Sequence, residues 1–556
     1  MADRIPASQR AVQLVGPDRL VLNEDKPVPA PGERQVLCRV IVVGLCFSDL
    51  KLLKQFSEHV RKAPVVAGVP DEVLDALPSY VPGEAPTVPG HEPVVEIAAV
   101  GPGVERFRPG ERYFVQADWR WLKTSTGTNG AFGYNFEGAL QEYVLLDERL
   151  LLSPEGESML IPAPAGARAA SAFALVEPWA CVEDAYRVRE RQGLKPDGRR
   201  LIVADAAPDA ARLRTFLEGQ PGGRRPVWCS TRPRPEGLEA DAVPDLEALG
   251  DAVFDDVLYF GADPATAEAL WAHGAPGALF LLLRGATAFG RPVQTDVGGV
   301  HYRGYRLAGA ATLDPADALA AIPETGELRP DDVVHVVGAG GPMGVMHVVR
   351  NLCQGVPGVA VHASDLSDAR LAALERIAGP LARANGTAFH PFNPKTAPLR
   401  QAVDYAAVMA PVPALVAAAV AAAAPRGIVN IFAGIPPGQC APLDLDAYVE
   451  RGLYMIGTSG SVMEDMRIVL EKVEEGRMDT NVSVAAVSGL DGAIDGIRRV
   501  ERQDIAGKIM VYPGCRGLGL TPLERLADAA PEAAAGLREG VWTREAEDAL
   551  RARWEA

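Results

Sequence analysis

The chain has 556 residues, 48% of them hydrophobic, which is enough apolar material for more than one packed core and too much for a disordered chain. A formal charge of -17 and a pI near 5.1 argue against nucleic acid or an anionic membrane as the main partner. Seven cysteines, an odd number with no Cys-x-x-Cys pair, suit a reducing cytoplasm better than a disulfide framework.

Met1-Ala2-Asp3-Arg4 leads into no apolar core, so no signal peptide is expected. Between residues 10 and 43, short β-branched runs alternate with Gly-Pro, Asn-Glu-Asp and Pro-Ala-Pro-Gly breaks, the pattern of a compact β-rich start. It delivers Gly44-Leu45-Cys46-Phe47-Ser48-Asp49-Leu50. A long segment, 51–88, follows and carries the patch Glu58-His59-Val60-Arg61-Lys62, in which His59, Arg61 and Lys62 are either a phosphate clamp or an ordinary solvated face. Pro89-Gly90-His91-Glu92 then opens an alternating strand over 94–100. The aromatic cluster Trp119, Trp121, Phe132, Tyr134 and Phe136 precedes Gly138 and suits either a pocket wall or a core edge.

Residues 332–344, Asp-Val-Val-His-Val-Val-Gly-Ala-Gly-Gly-Pro-Met-Gly, are an apolar β-branched run that breaks into glycines and continues as an apolar helical pattern over 345–352. Such a strand-to-helix turn holds a pyrophosphate, because glycines admit it to the backbone and the helix start offers N–H groups and a positive dipole end. The register is set by Gly341-Pro342-Met343-Gly344, with Gly338 or Ala339 in the first-glycine role and Gly340 between them. A second apolar run, 359–363, ends at Asp365, whose carboxylate can hold a ribose 2′-hydroxyl and repels a 2′-phosphate, favouring NAD over NADP. Ala433 and Gly434, after a later apolar run, are further candidates for cofactor contact. The one long uncharged stretch, 406–425, is broken by Pro411, Pro413 and Pro425 and reads as a strand and buried helix, not a membrane span.

The chain also repeats itself. Phe254-Asp255-Asp256-Val257-Leu258 through Pro264, Pro276 and Gly285 matches Val403-Asp404-Tyr405-Ala406-Ala407 through Pro413, Pro425 and Gly434 at a constant offset of 149 residues. With small shifts, Asp296 then falls against Asp446, Arg303-Gly304 against Arg451-Gly452, and Gly309 against Gly457. In the first copy, the counterpart of the glycine turn is Ala204-Asp205-Ala206-Ala207-Pro208-Asp209-Ala210. Its glycines are replaced, and Asp205 and Asp209 would repel a pyrophosphate. This copy is expected to be structural. Residues 520–554 carry helix-like apolar intervals.

Gly44 to Asp49, Gly90-His91-Glu92, Gly138-Ala139-Leu140-Gln141-Glu142-Tyr143, Leu175-Val176-Glu177-Pro178-Trp179-Ala180 and Gly507-Lys508-Ile509-Met510-Val511 together resemble the zinc-type medium-chain dehydrogenase/reductase family, over about residues 10–513. Glu177-Pro178 places the chain nearest the sorbitol dehydrogenase and sorbose-1-phosphate reductase-like branch. The resemblance implies an α/β protein: a GroES-like β-rich catalytic domain (1–197, completed by 467–513), a degenerate Rossmann-like repeat (198–330), an NAD-binding Rossmann domain with a doubly wound parallel sheet (331–466), and a C-terminal helical extension (514–556). It also implies a small-molecule polyol, sugar or sugar phosphate substrate, no nucleic acid or membrane partner, and a homodimer or homotetramer.

Catalytic zinc needs thiolate, imidazole or carboxylate ligands and one open position. Cys46, His91 and either Glu92 or Glu177 can supply them. The resemblance makes Cys46, His91 and Glu92 direct ligands, with Glu177 reaching the metal directly or through water. Ser48 is placed to take the alcohol proton, Asp49 to orient a ligand, and Lys51 to continue the relay or contact substrate. Residues 116–138 contain no cysteine, so one catalytic zinc and no structural zinc are expected. His335, His347 and His362 are read as packing or surface residues. The activity implied is NAD-linked oxidation of a secondary alcohol; the alternatives are an epimerase that retains NAD and a non-catalytic NAD-binding sensor or scaffold.

Overall fold

The computed structural model describes residues 5–166, 168–222, 224–458 and 460–555, so the Met1-Ala2-Asp3-Arg4 start lies outside the described residues. The chain forms two compact units, Met1–Ala180 with Val462–Ala556, and Cys181–Ser461. Among the described residues no helix is long and apolar enough to cross a membrane.

The first unit is built on an eight-stranded sheet whose central strand is Gln35–Gly44. Nine of its ten residues are buried, and a near-continuous β-branched run is what a strand covered on both faces requires. One edge pairs antiparallel with Glu92–Val100, setting Gly44 opposite Glu92. The other pairs at its end with Lys508–Val511, setting Gly44 opposite Met510. Two distant segments of sequence therefore meet at one strand end. The helix Phe47–Gln55 starts immediately beyond it, and Asp49 caps it by accepting the Cys46 N–H at 3.2 Å.

Residues 514–555 fold into this unit. Trp542 is fully buried and donates to the Tyr512 hydroxyl at 3.0 Å. Glu547 accepts from the Ala170 and Ser171 N–H groups and the Ser171 hydroxyl, at 2.9, 3.1 and 2.9 Å. The segment is helical only in pieces, Leu526–Ala529, Pro531–Ala535 and Arg544–Trp554, because Pro531 and Gly536 interrupt the apolar periodicity.

The second unit contains two six-stranded parallel sheets. In the first the order is Asp241–Val243, Val227–Cys229, Arg200–Ala204, Phe254–Phe260, Gly274–Leu283, Arg306–Ala310. In the second it is Ala388–Phe392, Ala360–Ser364, Val333–Val337, Val403–Val408, Ala423–Ile431, Tyr454–Ile456. Both are doubly wound, with the chain reversing direction between the first and fourth strands of each set. They share irregularities as well as order. Phe254 pairs with Gly274 before the register jumps to Asp256 with Leu279, and Val403 pairs with Ala423 before it jumps to Tyr405 with Ile428. The turn that closes each bulge is held the same way: Gly277 donates its N–H to Arg303 and Arg426 to Arg451, both at 2.7 Å and both from a positive φ. One detail of the repeat differs from the sequence alignment. Asp296 caps the helix Val297–Tyr302, and its counterpart in the cap of Leu445–Glu450 is Asp444, two residues before Asp446.

Candidate metal centre and nucleotide loop

At the Gly44 strand end, one ligand atom each from Cys46, His91 and Glu92 fit within 4.8 Å of one another, and they form the one such group among the described residues. Each comes from a different local cause. Cys46 is the residue before the helix Phe47–Gln55, and Glu92 opens its strand. His91 sits in a glycine-lined bend: a Cβ on Gly133 would lie 3.2 Å from the His91 Cβ, and one on Gly138 would lie 2.4 Å from the Gly90 carbonyl.

The ring of His91 is fixed by Asp49, whose Oδ1 lies 2.9 Å from Nδ1, which leaves Nε2 for the centre. Burial alone opposes a charged ring, but Asp49 and Tyr134 outweigh it and hold the His91 pKa well above its ordinary value. Ser48 donates to the Cys46 sulfur at 3.2 Å, lies 3.3 Å from His91 Nε2, and hydrogen-bonds with Tyr134.

Glu92 is fully buried, and its two oxygens differ. Oε1 accepts from Lys508 Nζ at 2.6 Å, while Oε2 has no protein partner. A buried carboxylate oxygen without a donor is costly, and a cation beside the thiolate and imidazole removes that cost. The thiolate, imidazole and carboxylate set therefore fits a zinc ion. Glu177, in the first turn of the helix Val176–Arg187, is outside this compact group but feels it electrostatically. Burial, aided by Glu92, pushes its pKa up to about 7 against the pull of His91, Lys508 and Arg61.

Lys62, read from sequence as either part of a phosphate clamp or a solvated residue, is neither: it is fully buried and donates to the carbonyls of Val81 and Ala85. His59 is buried too. Desolvation, with Arg61 and Lys51 nearby, takes its pKa down to about 4, leaving it uncharged. Arg61 lies over the Tyr134 ring at 5.5 Å and pairs with Asp118 at 3.7 Å. Of the aromatic cluster, Trp119, Phe132, Tyr134 and Phe136 belong to the core and Trp121 packs against it; Tyr134 also borders the centre, its ring 5.9 Å from that of His91.

In the second unit, the strand Val333–Val337 ends at Gly338, whose φ of +82° turns the chain, and the helix Pro342–Cys353 starts after Gly341 with no side-chain cap. Gly344 is where helix and strand touch: a Cβ there would lie 2.5 Å from the Gly338 carbonyl and 2.7 Å from the Ala339 Cα. Asp365 accepts the Gly340 N–H at 3.0 Å, placing its carboxylate beside the glycine turn. Ala433 is buried at the end of Ala423–Ile431 and donates to the Val408 carbonyl at 2.9 Å; Gly434 faces the Tyr302 hydroxyl. The corresponding turn of the first sheet is closed by its own acids. Asp205 accepts from the Tyr259 hydroxyl at 2.6 Å, and Asp209 caps the helix Ala210–Glu218 through the Arg212 N–H at 2.9 Å. A carboxylate thus occupies the helix start that a phosphate would need. His347 is buried against the Tyr186 hydroxyl at 2.9 Å, and His335 pairs with Ser364 at the same distance.

Residues 32–155 match the alcohol dehydrogenase GroES-like domain. The fold is thus a GroES-like domain with Rossmann-like parallel sheets. Among curated proteins, the chain is 24% identical over 349 residues to an uncharacterized protein, YggP, of Escherichia coli, a match covering 56% of this chain and 76% of that one. It is 28% identical over 213 residues to L-sorbose 1-phosphate reductase of Klebsiella pneumoniae, covering 36% of this chain and 45% of the reductase. Among solved structures, 2R,3R-butanediol dehydrogenase of Bacillus subtilis aligns with a TM-score of 0.50 at 15% identity, over 91% of this chain and 100% of that one, a likeness of fold. The GroES-like unit also holds two residues that the sequence did not single out for the site, Gly44 and Lys508. A lysine inside the apolar run Lys508–Val511 was the available signal, since a charge on a buried strand needs a partner.

Proposed function

We propose that the chain is a zinc-dependent, NAD-linked member of the medium-chain dehydrogenase/reductase superfamily that interconverts the secondary alcohol and ketone of a polyol, sugar or sugar phosphate. The observation that carries this is the group of half-buried Cys46 with buried His91 and Glu92, in which one Glu92 oxygen is left without a protein donor. Those three residues would hold the metal, and Glu177 is a further carboxylate within its field. A bound zinc supplies Lewis acidity that lowers the pKa of a substrate hydroxyl.

The protein's own residues do the rest. Asp49 keeps the His91 ring in one orientation, and Lys508 holds one Glu92 oxygen so that the other is presented to the metal. Ser48, in contact with Cys46, His91 and Tyr134, is positioned to receive the alcohol proton and pass it on. In the nucleotide unit, Gly338, Ala339, Gly340, Gly341, Pro342, Met343 and Gly344 cradle the NAD pyrophosphate. Asp365 takes the adenosine ribose and disfavours NADP, and Ala433-Gly434 line the cofactor further along. Of the patch His59, Arg61 and Lys62, Arg61 is the partly exposed cation, and it would meet an anionic substrate group by leaving Asp118.

NADH formation across a panel of polyols and sugar phosphates, with metal content measured on the same sample, tests the reading. One zinc per chain and turnover lost on chelation or in Cys46→Ser are expected. A folded protein that binds no zinc and oxidises no alcohol overturns it, and retained NAD without net NADH release points instead to epimerisation.

A further inference from the structure

The two parallel sheets of the second unit are joined by a seam with the symmetry of a subunit interface. The strand Val293–Asp296 runs antiparallel to Cys440–Leu443, pairing Val293 with Leu443, Gln294 with Pro442 and Thr295 with Ala441. By the capping aspartates Asp296 and Asp444, residue 293 corresponds to 441, 294 to 442 and 295 to 443. Each pair is therefore the mirror of another, and Gln294 with Pro442 pairs a position with its own counterpart. That is the rule of an isologous two-fold contact, in which residue i meets j and j meets i.

The rule holds away from the strands. Gly309 is packed on Val449, whose Cγ2 would lie 2.5 Å from an added Cβ, and its counterpart Gly457 is packed on His301, the counterpart of Val449, at 3.0 Å from the Cα. A like contact, displaced by two residues, joins the turns: Gly290 donates to Asp446 at 3.1 Å, and its counterpart Gly438 donates to Asp296, the counterpart of Asp444, at 3.0 Å. The last residues of the two capped helices also cross. Glu450 pairs with Arg284 at 2.6 Å, and the Tyr302 hydroxyl meets Gly434. Beneath these contacts lies one apolar core, with Val293, Val297 and Val300 from one side and Leu443, Leu445 and Tyr448 from the other, all at most 2% exposed. Such a surface cannot stand in water alone.

We infer that the first Rossmann-like repeat is a built-in substitute for a second copy of the nucleotide-binding repeat, occupying the face through which two such copies would pair. The replaced glycine turn, with Asp209 at its helix start, fits a copy retained for this seam and not for nucleotide. One chain then carries a complete pseudo-dimer, and association of whole chains uses a different face.

Cysteine cross-linking of the full chain tests this. Directly opposed antiparallel residues lie within disulfide reach, and the side chains of Gln294 and Pro442 are exposed. After oxidation, Gln294→Cys/Pro442→Cys in a Cys440→Ser background is expected to lose both new thiols while keeping the covalent mass of a single chain, with one peptide joining 294 to 442. Links between chains, or two free thiols in the folded protein, overturn the inference. Pro442→Cys with Cys440→Ser alone adds an independent reading. If a second chain docked at this face, the introduced thiols of the two chains would meet on the axis and give covalent dimers; the expected product is a free thiol on a single chain.

Discussion

Gly44→Ala changes no ligand and no charge, yet it should strip much of the zinc affinity. Gly44 stands opposite Glu92 in the antiparallel pair, and a Cβ on it would lie 2.3 Å from Glu92 Oε2, the oxygen without a protein partner. Ordinary contact is about 3.4 Å or more, so the carboxylate must retreat by roughly 1 Å. The Glu92 Cβ and Cδ lie 3.5 Å from the added atom, so only the carboxylate end has to yield. Gly44 is not in the left-handed region, so alanine fits the backbone. Perturbing the support of a metal ligand costs about 10–100-fold in affinity, or about 1.4–2.7 kcal/mol. The metal-free protein should change by less than about 1 kcal/mol, the range of a tolerated strand substitution. Zinc competition against a chromogenic chelator reads the first quantity, and urea denaturation of the chelated protein reads the second. Unchanged zinc affinity in a folded Gly44→Ala protein would refute the placement of Glu92 at the metal, whereas collapse of the metal-free protein would refute the claim that only its carboxylate yields.

Lys508→Met leaves Glu92 a buried carboxylate without its ammonium partner, so the metal-free protein should lose about 3–5 kcal/mol in urea, with part of the loss recovered when zinc is added. Gly344→Ala sets a Cβ 2.5 Å from the Gly338 carbonyl, a backbone atom that cannot swing aside; about 1–3 kcal/mol of strain should appear as weaker NADH binding in a fluorescence titration, with zinc content unchanged. His347 is fully buried against Tyr186, and burial, helped by Arg350, takes its pKa down to about 3 from 6.5. A histidine depressed on folding gives stability that is complete above about pH 6.5 and is lost as the pH falls toward 3, at about 1.4 kcal/mol per unit and about 5 kcal/mol in all. Denaturation across that window should therefore fall more steeply for the native chain than for His347→Gln; parallel curves would show that the ring is not buried neutral.

The glycine turn after Val333–Val337 was legible because of local demands: a positive φ at Gly338 and a helix–strand contact at Gly344. Cys46, His91 and Glu92 were legible through their motifs, since the residues that place them lie within a few positions of each. Lys508 was not. It reaches Glu92 across 416 residues of chain, and only strand pairing through Gly44 brings the two together. The charged patch misled for the opposite reason. Local sequence makes His59, Arg61 and Lys62 a solvated group, but the fold buries Lys62 against two carbonyls and desolvates His59.

The repeat shows where sequence alignment stops being a guide to contacts. Matching Asp296 to Asp446 is off by two residues for the helix caps, yet it is the pairing that recurs across the seam, where each of these acids accepts from the corresponding glycine of the other copy. A linear alignment scores one correspondence at a time, whereas a two-fold seam imposes a second, between each residue and the counterpart of its neighbour. The first copy has no glycines at its strand-to-helix turn and keeps Gly290 and Gly309, which serve the seam. What distinguishes the two copies is therefore the glycine turn, and what they share is the surface between them.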